Sequence, residues 1–441
     1  MNSTGPIGPR GITRRAMLRQ SAAGAAVIGL GVGRRAATST EGEVAPARRP
    51  LGPNDGICLG VIGVGGQGGH LLRMLVDRAR GNPKLAVVAA CDVYEPRKQA
   101  AQDLLRKQNT GKTVDGAVYH EYERMIENPD VDAVVIATPD HWHAKIAIEA
   151  VRAGKDVYVE KPMTHTIEQA KALRDAAVAN EAVVQVGAQS ASNPVYHQAR
   201  EMIRRGAIGK VIWTSSGYSR NVPQGDWNYV IEPGASPKNL DWDRWVGWRW
   251  DLAPRRPFDP ERFFRFRKYW DYSGGIATDL LYHALAHLAV ALGPEFPARV
   301  VASGGNWVHK DRDVPDTFLM NIDYPSEHSI FLMGTDANDG GIPEVIHGQY
   351  GSMVFDGFKI EPQRAFAQPF EEAKKHGAHD VPSPSLPDHM GNWLECLRTR
   401  AMPTCNVELG YRVQVAITMG VLAYRQNKAV YFDPKSETVK A

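Results

Sequence analysis

Apolar runs and helix-like patterns alternate along the chain from about residue 57 to residue 187. The apolar runs have the length of single strands and cover residues 58–63, 85–91, 131–138, 156–160 and 182–187. Segments with apolar residues on one side follow several of these runs and predict helices over residues 70–80, 144–153 and 167–180. Strands that alternate with helices in this way predict a doubly wound parallel sheet, an α/β fold whose ligands bind at the carboxyl ends of the strands.

The second half of the chain has a different pattern. Strand-like segments with loose alternation cover residues 300–304, 318–324 and 329–334, and helical patterns follow at 392–400 and 410–426. These segments indicate a sheet with late helices, that is, an α+β domain after the parallel one. The length of 441 residues is consistent with two or three domains.

Tryptophan is concentrated in one part of that second half. Seven of the ten tryptophans lie between Trp213 and Trp270, and four of them lie between Trp242 and Trp250, close to several arginines. Such rings could stack on sugar rings, or they could pack an insertion or a subunit interface. We favour packing.

The first fifty residues have the composition of a targeting segment. Residues 13–19, Thr-Arg-Arg-Ala-Met-Leu-Arg, resemble the twin-arginine export motif, and an apolar stretch rich in Ala and Gly follows over 21–32. That stretch is too short to span a bilayer but suits a signal peptide. We therefore expect residues 1–50 to be a signal and linker, and the protein to be exported by the twin-arginine route to the periplasm. The alternative is a disordered basic tail with a chance arginine pair.

Charge and hydropathy outside this leader exclude two classes of partner. Residues 1–50 hold eight arginines, no lysine and two acids, which leaves residues 51–441 slightly acidic despite the net charge of +3. An acidic body gives no electrostatic reason to expect nucleic acid. No other window approaches eighteen consecutive apolar residues, so we expect no stable membrane insertion after signal removal.

The residues between the first predicted strand and helix carry a phosphate-binding pattern. Gly63, Gly65 and Gly68 form G-x-G-x-x-G in the run Gly-Val-Gly-Gly-Gln-Gly. The glycines permit a tight turn, close approach of backbone to a pyrophosphate, and close packing of helix on strand. The free N–H groups of the helix N-terminus then face the phosphates.

A carboxylate follows the second predicted strand at the expected distance. Asp92 lies 24 residues after Gly68, where it can hydrogen-bond both ribose hydroxyls and repel a 2′-phosphate. This favours NAD as the cofactor. NADP remains possible because Arg97 is close in sequence.

Several motifs together resemble one family of enzymes. They are the glycine turn, residues 137–143 (Ala-Thr-Pro-Asp-His-Trp-His), 159–162 (Val-Glu-Lys-Pro), 206–210 (Gly-Ala-Ile-Gly-Lys), and 273–275 (Ser-Gly-Gly) before 279–283 (Asp-Leu-Leu-Tyr-His). In order and spacing the chain resembles the glucose–fructose oxidoreductase/inositol dehydrogenase/rhizopine catabolism (Gfo/Idh/MocA) family over most of residues 57–430.

The resemblance implies a domain plan and a catalytic set. It implies an NAD-binding Rossmann domain, which we place at 57–188, and a substrate and oligomerisation domain with a large, mostly antiparallel sheet, which we place at 189–441. The broad sheet needs a cover on its second face, so we expect a homodimer or homotetramer. The implied catalytic residues are Lys161, Asp279 and His283.

The residues themselves are suited to those roles. Lys161 ends a predicted strand, where a nicotinamide would lie, and can bind or deprotonate a hydroxyl. Asp279 and His283 are four residues apart in a helical run, so the carboxylate could orient the imidazole while the imidazole takes a proton. Around these residues we assign cofactor binding to Gly63, Gly65, Gly66, Gln67, Gly68, Asp92, Thr138, Pro139, His141, His143, Glu160, Lys161, Pro162 and Gln189.

Metal and disulfide chemistry receive little support. His287 continues the helical face of Asp279 and His283, so a metal-binding stripe is an alternative, but we expect no metal because the resemblance requires none. His141 and His143 are expected to cap the following helix and line the cofactor site. The four cysteines have neither C-x-x-C nor zinc-ligand spacing and are interpreted as small buried residues.

These observations lead to three functional hypotheses. The first is an exported NAD(P)-dependent oxidoreductase acting on a sugar, polyol or sugar derivative. Because the space outside the cytoplasm offers no free NAD pool, we expect its cofactor to stay tightly bound and to be recycled in the active site. The second is an NAD-dependent glycosidase or lyase that works through a transient keto-sugar. The third, a non-catalytic NAD- and sugar-binding protein, is disfavoured by the intact Lys161, Asp279 and His283.

Overall fold

The computed structural model describes residue 52 and residues 55–107 and 117–440. The predicted leader, with its twin-arginine motif, lies outside the described residues.

The first domain is built on a six-stranded parallel sheet. Its strands are β1 (Ile57–Ile62), β2 (Leu85–Cys91), β3 (Ala117–Tyr119), β4 (Ala133–Ile136), β5 (Asp156–Glu160) and β6 (Val184–Gly187). The spatial order is β3-β2-β1-β4-β5-β6, and every neighbouring pair is parallel. The order reverses between β1 and β4, which places the ligand crevice there, at the carboxyl ends of the strands. The predicted Rossmann fold is confirmed.

Helices cover both faces of this sheet. They are α1 (Gly66–Ala79), α2 (Glu95–Arg106), α3 (Tyr122–Ile126), α4 (Asp140–Arg152) and α5 (Ile167–Ala179). α1 and α4 each begin four residues earlier than the apolar pattern predicts. The predicted starts of these two helices are therefore wrong, and His141 and His143 lie in the first turn of α4.

The second domain carries a mixed, mostly antiparallel sheet, as expected. Its strands are β7 (Val211–Asn221), β8 (Arg299–Gly305), β9 (Thr317–Tyr324), β10 (His328–Thr335), β11 (Ala337–Asn338), β12 (Val345–Gly348), β13 (Gly351–Val354), β14 (Lys359–Pro362), β15 (Val430–Asp433) and β16 (Thr438–Lys440). The order is β14-β13-β12-β7-β10-β9-β8-β15-β16, with β11 paired to β7. Among the described strands of this sheet, β7 and β10 form the one parallel pair.

Helices of the second half of the chain pack on that sheet or reach the first domain. They are α6 (Pro194–Arg204), α7 (Trp242–Val246), α8 (Pro260–Phe264), α9 (Tyr282–Leu292), α10 (Ala367–Lys375), α11 (His389–Thr399) and α12 (Val407–Gln426). Trp393 and Leu397 of α11 belong to the same buried cluster as Leu71 and Leu75 of α1. A helix from late in the sequence therefore completes the core of the first domain.

Residues 222–272, between β7 and the approach to α9, cross over to the first domain, and we call them the capping segment. The amide of Glu95 donates to the carbonyl of Asn239 at 2.8 Å, and that of Asp241 donates to the carbonyl of Val93 at 3.1 Å. The indole of Trp142 donates to the carbonyl of Trp245 at 2.8 Å. The tryptophan-rich region thus packs against the residues that follow β2 and against α4 of the first domain, and packing is the role favoured from the sequence.

Two further expectations concern cysteine and membranes. Cys91, Cys396 and Cys405 are buried free thiols, and Cys58 is half-buried. Over the described part of the chain, no helix combines the length and the apolar character needed to cross a bilayer.

Candidate functional site

One large cavity, of about 1070 Å³, joins the two domains. It starts at the glycine turn, passes the carboxyl ends of the parallel strands, and reaches Lys161, Asp279 and His283. A continuous space therefore connects the predicted dinucleotide site with the predicted catalytic residues. We call these two parts the dinucleotide end and the reaction end.

The glycine turn is shaped by contacts that leave no room for side chains. Gly63 has φ +79°, a left-handed conformation that favours glycine. A Cβ on Gly68 would lie 1.7 Å from the carbonyl oxygen of Gly63, whereas a Cβ on Gly66 would meet nothing within 4 Å. The third glycine is thus required by packing, and the space at Gly66 opens into the cavity.

Asp92 is fixed at the dinucleotide end by backbone amides. Its two carboxylate oxygens accept from the amides of Val64 at 2.9 Å and Tyr94 at 3.0 Å. Each oxygen can accept a further bond, so the buried carboxylate remains available to ribose hydroxyls.

Arg97 lies above the glycine turn, where a Cβ on Gly65 would approach its guanidinium to 2.9 Å. The guanidinium is 4.6 Å from the ring centroid of Phe263 and 5.7 Å from that of Phe264, both from the capping segment. These cation–π contacts hold a positive charge at the dinucleotide end.

The loop before α4 offers unsatisfied polar groups to the cavity. Thr138 and Pro139 line it, and Thr138 Oγ1 is buried without a hydrogen-bond partner among the described residues. His143, also in the lining, bridges the carbonyl oxygens of Pro162 at 2.7 Å and Thr138 at 2.8 Å. His143 thereby ties the two family motifs together.

Glu160 is a buried carboxyl group beside Lys161. The amide of Gln67 donates to Glu160 Oε1 at 3.0 Å, and that of Gln189 donates to the same oxygen at 3.3 Å. Burial raises the pKa of Glu160. The predicted residues Gln67, Glu160 and Gln189 thus form one polar group on the cavity wall.

Lys161 and Asp279 form the centre of the reaction end. Lys161 Nζ donates to Asp279 Oδ1 at 2.5 Å and to the Asp279 backbone carbonyl at 2.9 Å. Two residues of the capping segment join them: Arg267 Nε donates to Oδ1 at 2.8 Å, and Trp227 Nε1 donates to Oδ2 at 3.0 Å.

These donors decide the charge of Asp279. Burial alone would raise the pKa of Asp279, but the neighbouring Arg267 and Lys161 reverse this and hold that pKa well below its usual range. The two positive neighbours therefore favour the ionised form of Asp279.

His283 lies one turn further along, on α9, and lines the same cavity. Burial, together with the charge of Lys161, lowers the pKa of His283 to about 3. A neutral imidazole can accept a proton. The structure shows no hydrogen bond between the described Asp279 carboxylate and the His283 ring, because Asp279 sits in a π-helical turn over Ala277–Leu281 that shifts the helical face.

His287 has different partners. Its Nδ1 lies 2.9 Å from Ser190 Oγ, and its Nε2 lies 2.7 Å from Glu344 Oε2. Within the described ranges, no group of three or more His, Cys, Asp and Glu side chains is arranged to hold a metal ion. Asp279, His283 and His287 therefore do not form the metal-binding stripe considered as an alternative.

Three predicted cofactor-site residues do not line the cavity: Gly68, His141 and Pro162. Gly68 supports the turn by packing, and the Pro162 carbonyl contacts His143. The His141 ring is buried against Trp245 and Tyr272, and Nε2 lies 3.2 Å from the Trp245 carbonyl oxygen. His141 connects α4 to the capping segment.

Sequence reasoning missed the contributions of the capping segment. Trp227, Arg267 and Phe263 come from a region that was interpreted only as packing. The concentration of tryptophan and arginine there was the available signal, but no spacing rule connects these residues to Asp279.

The dinucleotide end is consistent with an NAD molecule. The turn leaves space at Gly66, the first helix presents its N-terminus without a side-chain cap, and Asp92 and Thr138 keep acceptor or donor capacity. The glycine turn and α1 would hold the pyrophosphate, and Asp92 the adenosine ribose.

Comparisons with known proteins agree with this arrangement. Residues 57–188 match the Gfo/Idh/MocA model described as an oxidoreductase family with an NAD-binding Rossmann fold. Residues 199–441 match the C-terminal alpha/beta domain of the same oxidoreductase family. The predicted NAD-binding domain is thus confirmed.

Two similar proteins are named as dehydrogenases of levoglucosan and of scyllo-inositol. The levoglucosan dehydrogenase of Pseudarthrobacter phenanthrenivorans is 39% identical over 299 residues, 62% of this chain and 67% of that protein. The scyllo-inositol 2-dehydrogenase (NAD(+)) of Bacillus subtilis is 32% identical over 161 residues, 36% of this chain. That match spans only 44% of the Bacillus protein.

Solved structures share the fold. The WlbA dehydrogenase from Bordetella pertussis, in complex with NADH and UDP-GlcNAcA, aligns with a TM-score of 0.61 at 19% identity. The alignment covers 86% of this chain and 98% of that one.

Proposed function

The chain belongs to the Gfo/Idh/MocA oxidoreductase family, and we propose that it oxidises a carbinol of a sugar, polyol or sugar derivative with NAD. The proposal rests on one observation: the same cavity is lined by the glycine turn and by Lys161, Asp279 and His283. Levoglucosan and inositol are the substrates named for two relatives, and they define the class of polyhydroxylated ring that we propose.

The residues of the reaction end divide the work of removing the hydroxyl proton. The Lys161 ammonium has three N–H donors, two of which are bonded to Asp279. The third is left for the substrate hydroxyl. The neutral His283 imidazole takes the proton that leaves this hydroxyl as the carbonyl forms. Bound NAD supplies the acceptor for the hydride from the carbinol carbon.

We further propose that the protein is exported and keeps its cofactor. The support in the sequence is the twin-arginine motif at 13–19, and the support in the structure is the capping segment. Its Phe263 and Phe264 line the cavity beside Arg97, so release of a dinucleotide requires part of this segment to move. Reduced cofactor would be reoxidised by a second substrate in the same site, which makes the net reaction redox-neutral.

A second copy of the chain is the proposed cover for the outer face of the large sheet. Trp213 on β7 and Tyr431 on β15 are 44% and 48% exposed, and Leu319, Phe331 and Met333 on the strands between them are half-buried. Light scattering during size-exclusion chromatography would give a dimer or tetramer mass if this is so, and a monomer mass if it is not.

The function is tested by analysing and assaying the folded protein after purification from an export-competent bacterial host. We expect mass spectrometry of the denatured protein to find NAD or NADH. We also expect a panel containing levoglucosan, inositols, hexoses and uronic acids to include a compound that reduces the cofactor. The glycosidase alternative, which we do not favour, would instead show release of the phenol from an aryl glycoside and no net cofactor reduction. Absence of both activities would contradict the proposal.

Fractionation tests the export proposal separately. Fusion of the complete chain to a reporter should place it in the periplasm, and replacement of Arg14 and Arg15 by lysine should retain it inside the cell. Periplasmic reporter with both arginines replaced would contradict the twin-arginine route.

A further inference from the structure

We propose that Trp227 and Arg267 of the capping segment are positioning residues that fix the Asp279 carboxylate as a permanent anionic support for the Lys161 ammonium. The inference rests on the proposed function of the reaction end, and it adds two residues that neither the motifs nor the family resemblance assigns. It also changes the role of Asp279. The sequence predicts that Asp279 orients His283, whereas we propose that Asp279 holds Lys161.

The first argument is that both oxygens of the Asp279 carboxylate accept hydrogen bonds. Oδ1 accepts from Lys161 at 2.5 Å and from Arg267 at 2.8 Å, while Oδ2 accepts from the Trp227 indole at 3.0 Å. Donors on both oxygens fix the plane of the carboxylate. Because Lys161 also bonds the Asp279 backbone carbonyl at 2.9 Å, the position of its ammonium follows from that of Asp279.

The second argument is the backbone at Trp227. This residue has φ +65°, a left-handed conformation that is unfavourable for a bulky side chain. It is only 5% exposed, so the surrounding structure must hold it there. Unfavourable backbone geometry of this kind is concentrated at functional sites, and here its result is an indole N–H aimed at Asp279.

A buried ion pair holds the turn that carries Trp227. The amide of Asp226 donates to Asp336 Oδ2 at 2.8 Å, and Arg312 donates to the same oxygen at 2.9 Å. The Arg312 guanidinium also lies 5.7 Å from the ring centroid of Trp227. A Cβ on Gly225 would come within 2.0 Å of Arg312 Nη2, so the turn depends on glycine. The indole is therefore held by its contact with Arg312 as well as by its hydrogen bond to Asp279.

The third argument is the permanence of the Arg267 charge. A guanidinium does not lose its proton in a protein, and this one lies 4.6 Å from the ring centroid of Phe266. Arg267 therefore keeps Asp279 ionised whatever happens to the proton on Lys161. Asp279 does not carry the proton, and the imidazole of His283 is left to do so.

Kinetics of single variants provide the first test. Trp227→Phe keeps the aromatic ring but removes the donor, and we expect at least roughly a tenfold loss in kcat/KM, the range for a hydrogen bond to a charged group. NAD affinity should stay unchanged because the dinucleotide end is untouched. Arg267→Met should lose more, and Arg267→Lys should recover part of that loss. Trp307→Phe and Arg299→Lys, which change exposed residues, are matched controls.

A double-mutant cycle separates positioning from general structural support. If Trp227 acts through Asp279, Trp227→Phe should have almost no further effect in an Asp279→Ala background. Losses that multiply would overturn the inference, as would a Trp227→Phe variant with the kcat/KM of the unchanged protein.

A second readout needs no activity at all. The titratable groups around Asp279 are Lys161, Tyr218, Asp226, Tyr229, Arg267 and His283. Infrared difference spectroscopy, with Asp279→Asn to assign the carboxyl band, should show Asp279 ionised until acid unfolding. In Arg267→Met its protonation should move to clearly higher pH, and an unchanged titration would contradict the inference. Failure of the proposed function would instead appear as an inactive unchanged protein with this titration intact.

Discussion

The two ends of the cavity are built in different ways. The dinucleotide end consists mainly of backbone: a glycine turn, the N-terminus of α1, and a carboxylate held by two amides, all within residues 63–94. The reaction end consists of side chains from separate parts of the chain: Lys161 directly after β5, residues of the capping segment, and Asp279 and His283 in and after the π-helical turn. Lys161 and Asp279 are 118 residues apart in sequence.

This difference predicts different responses to substitution. A backbone site is damaged by added atoms, because a Cβ occupies space that the turn or the ligand needs. A side-chain site is damaged by removed atoms, because a buried charge then loses a partner and becomes costly. The following predictions test this contrast.

The largest effect is expected at the reaction end. Lys161→Ala should lower turnover by at least roughly a hundredfold, since a positioned acid–base group typically contributes about 10²–10⁴, and His283→Ala should do the same. The two losses should not multiply, because both residues act on one hydroxyl. Steady-state kinetics would check this, with Lys171→Ala, a partly exposed lysine that does not line the cavity, as control. Full activity of Lys161→Ala would remove Lys161 from the mechanism.

The next effect is expected in the glycine turn, and two neighbouring positions give a matched pair. Gly68→Ala should destabilise the fold by about 1–3 kcal/mol and reduce NAD binding, because its Cβ would lie 1.7 Å from a backbone oxygen. Gly66→Ala, with open space around its Cβ, should leave the free energy of unfolding nearly unchanged. Urea unfolding and calorimetric titration with NAD measure both. Equal stability of the two variants would refute the packing requirement at Gly68.

A smaller effect is expected at Asp92. Asp92→Ala should reduce the preference for NAD over NADP more than it weakens pyrophosphate binding, since in the proposed binding mode Asp92 contacts the ribose while the turn holds the phosphates. The ratio of the two dissociation constants, measured by fluorescence titration, checks this. If the ratio is unchanged, Asp92 does not contact the ribose.

The smallest effect concerns stability at low pH. His283 has a pKa of about 3 in the folded protein because burial, followed by the charge of Lys161, disfavours the imidazolium. The unfolded chain, with an ordinary histidine pKa, binds a proton first as the pH falls, so this histidine lowers the free energy of unfolding between about pH 6.5 and pH 3. Over that pH range, the free energy of unfolding of His283→Gln should fall by about 1 kcal/mol less per pH unit than that of the unchanged protein. Denaturant unfolding at several pH values checks the slope, and parallel slopes would contradict it.

The sequence predicts the dinucleotide end of the cavity better than the reaction end. Gly63–Gly68 and Asp92 are local signals with fixed spacing, and the structure places them as a dinucleotide turn requires. The start of α4 was missed because Asp140, His141 and His143 break the apolar period, although all three are buried. The ring of His141 is buried by Trp245 and Tyr272 of the capping segment, and a local sequence pattern does not contain such distant contacts.

The partners of Asp279 show the same limit. From their spacing, Asp279 and His283 were expected on one face of a helix, and both do line one cavity. The prediction assumed a regular α-helix, however, and Asp279 lies in a π-helical turn. Trp227 and Arg267 reach the carboxylate only because the capping segment folds over the first domain. Contacts of this kind depend on tertiary structure and have no sequence spacing.

The most direct test of the account follows the hydrogen atom that is transferred. Once the panel identifies a substrate, that sugar or polyol is prepared with deuterium on the carbinol carbon and incubated with the purified, cofactor-loaded protein. The account predicts deuterium in the reduced cofactor, detected by mass spectrometry after denaturation, and its near absence in Lys161→Ala over the same time. A cofactor that stays free of deuterium while substrate is consumed would contradict hydride transfer at this site.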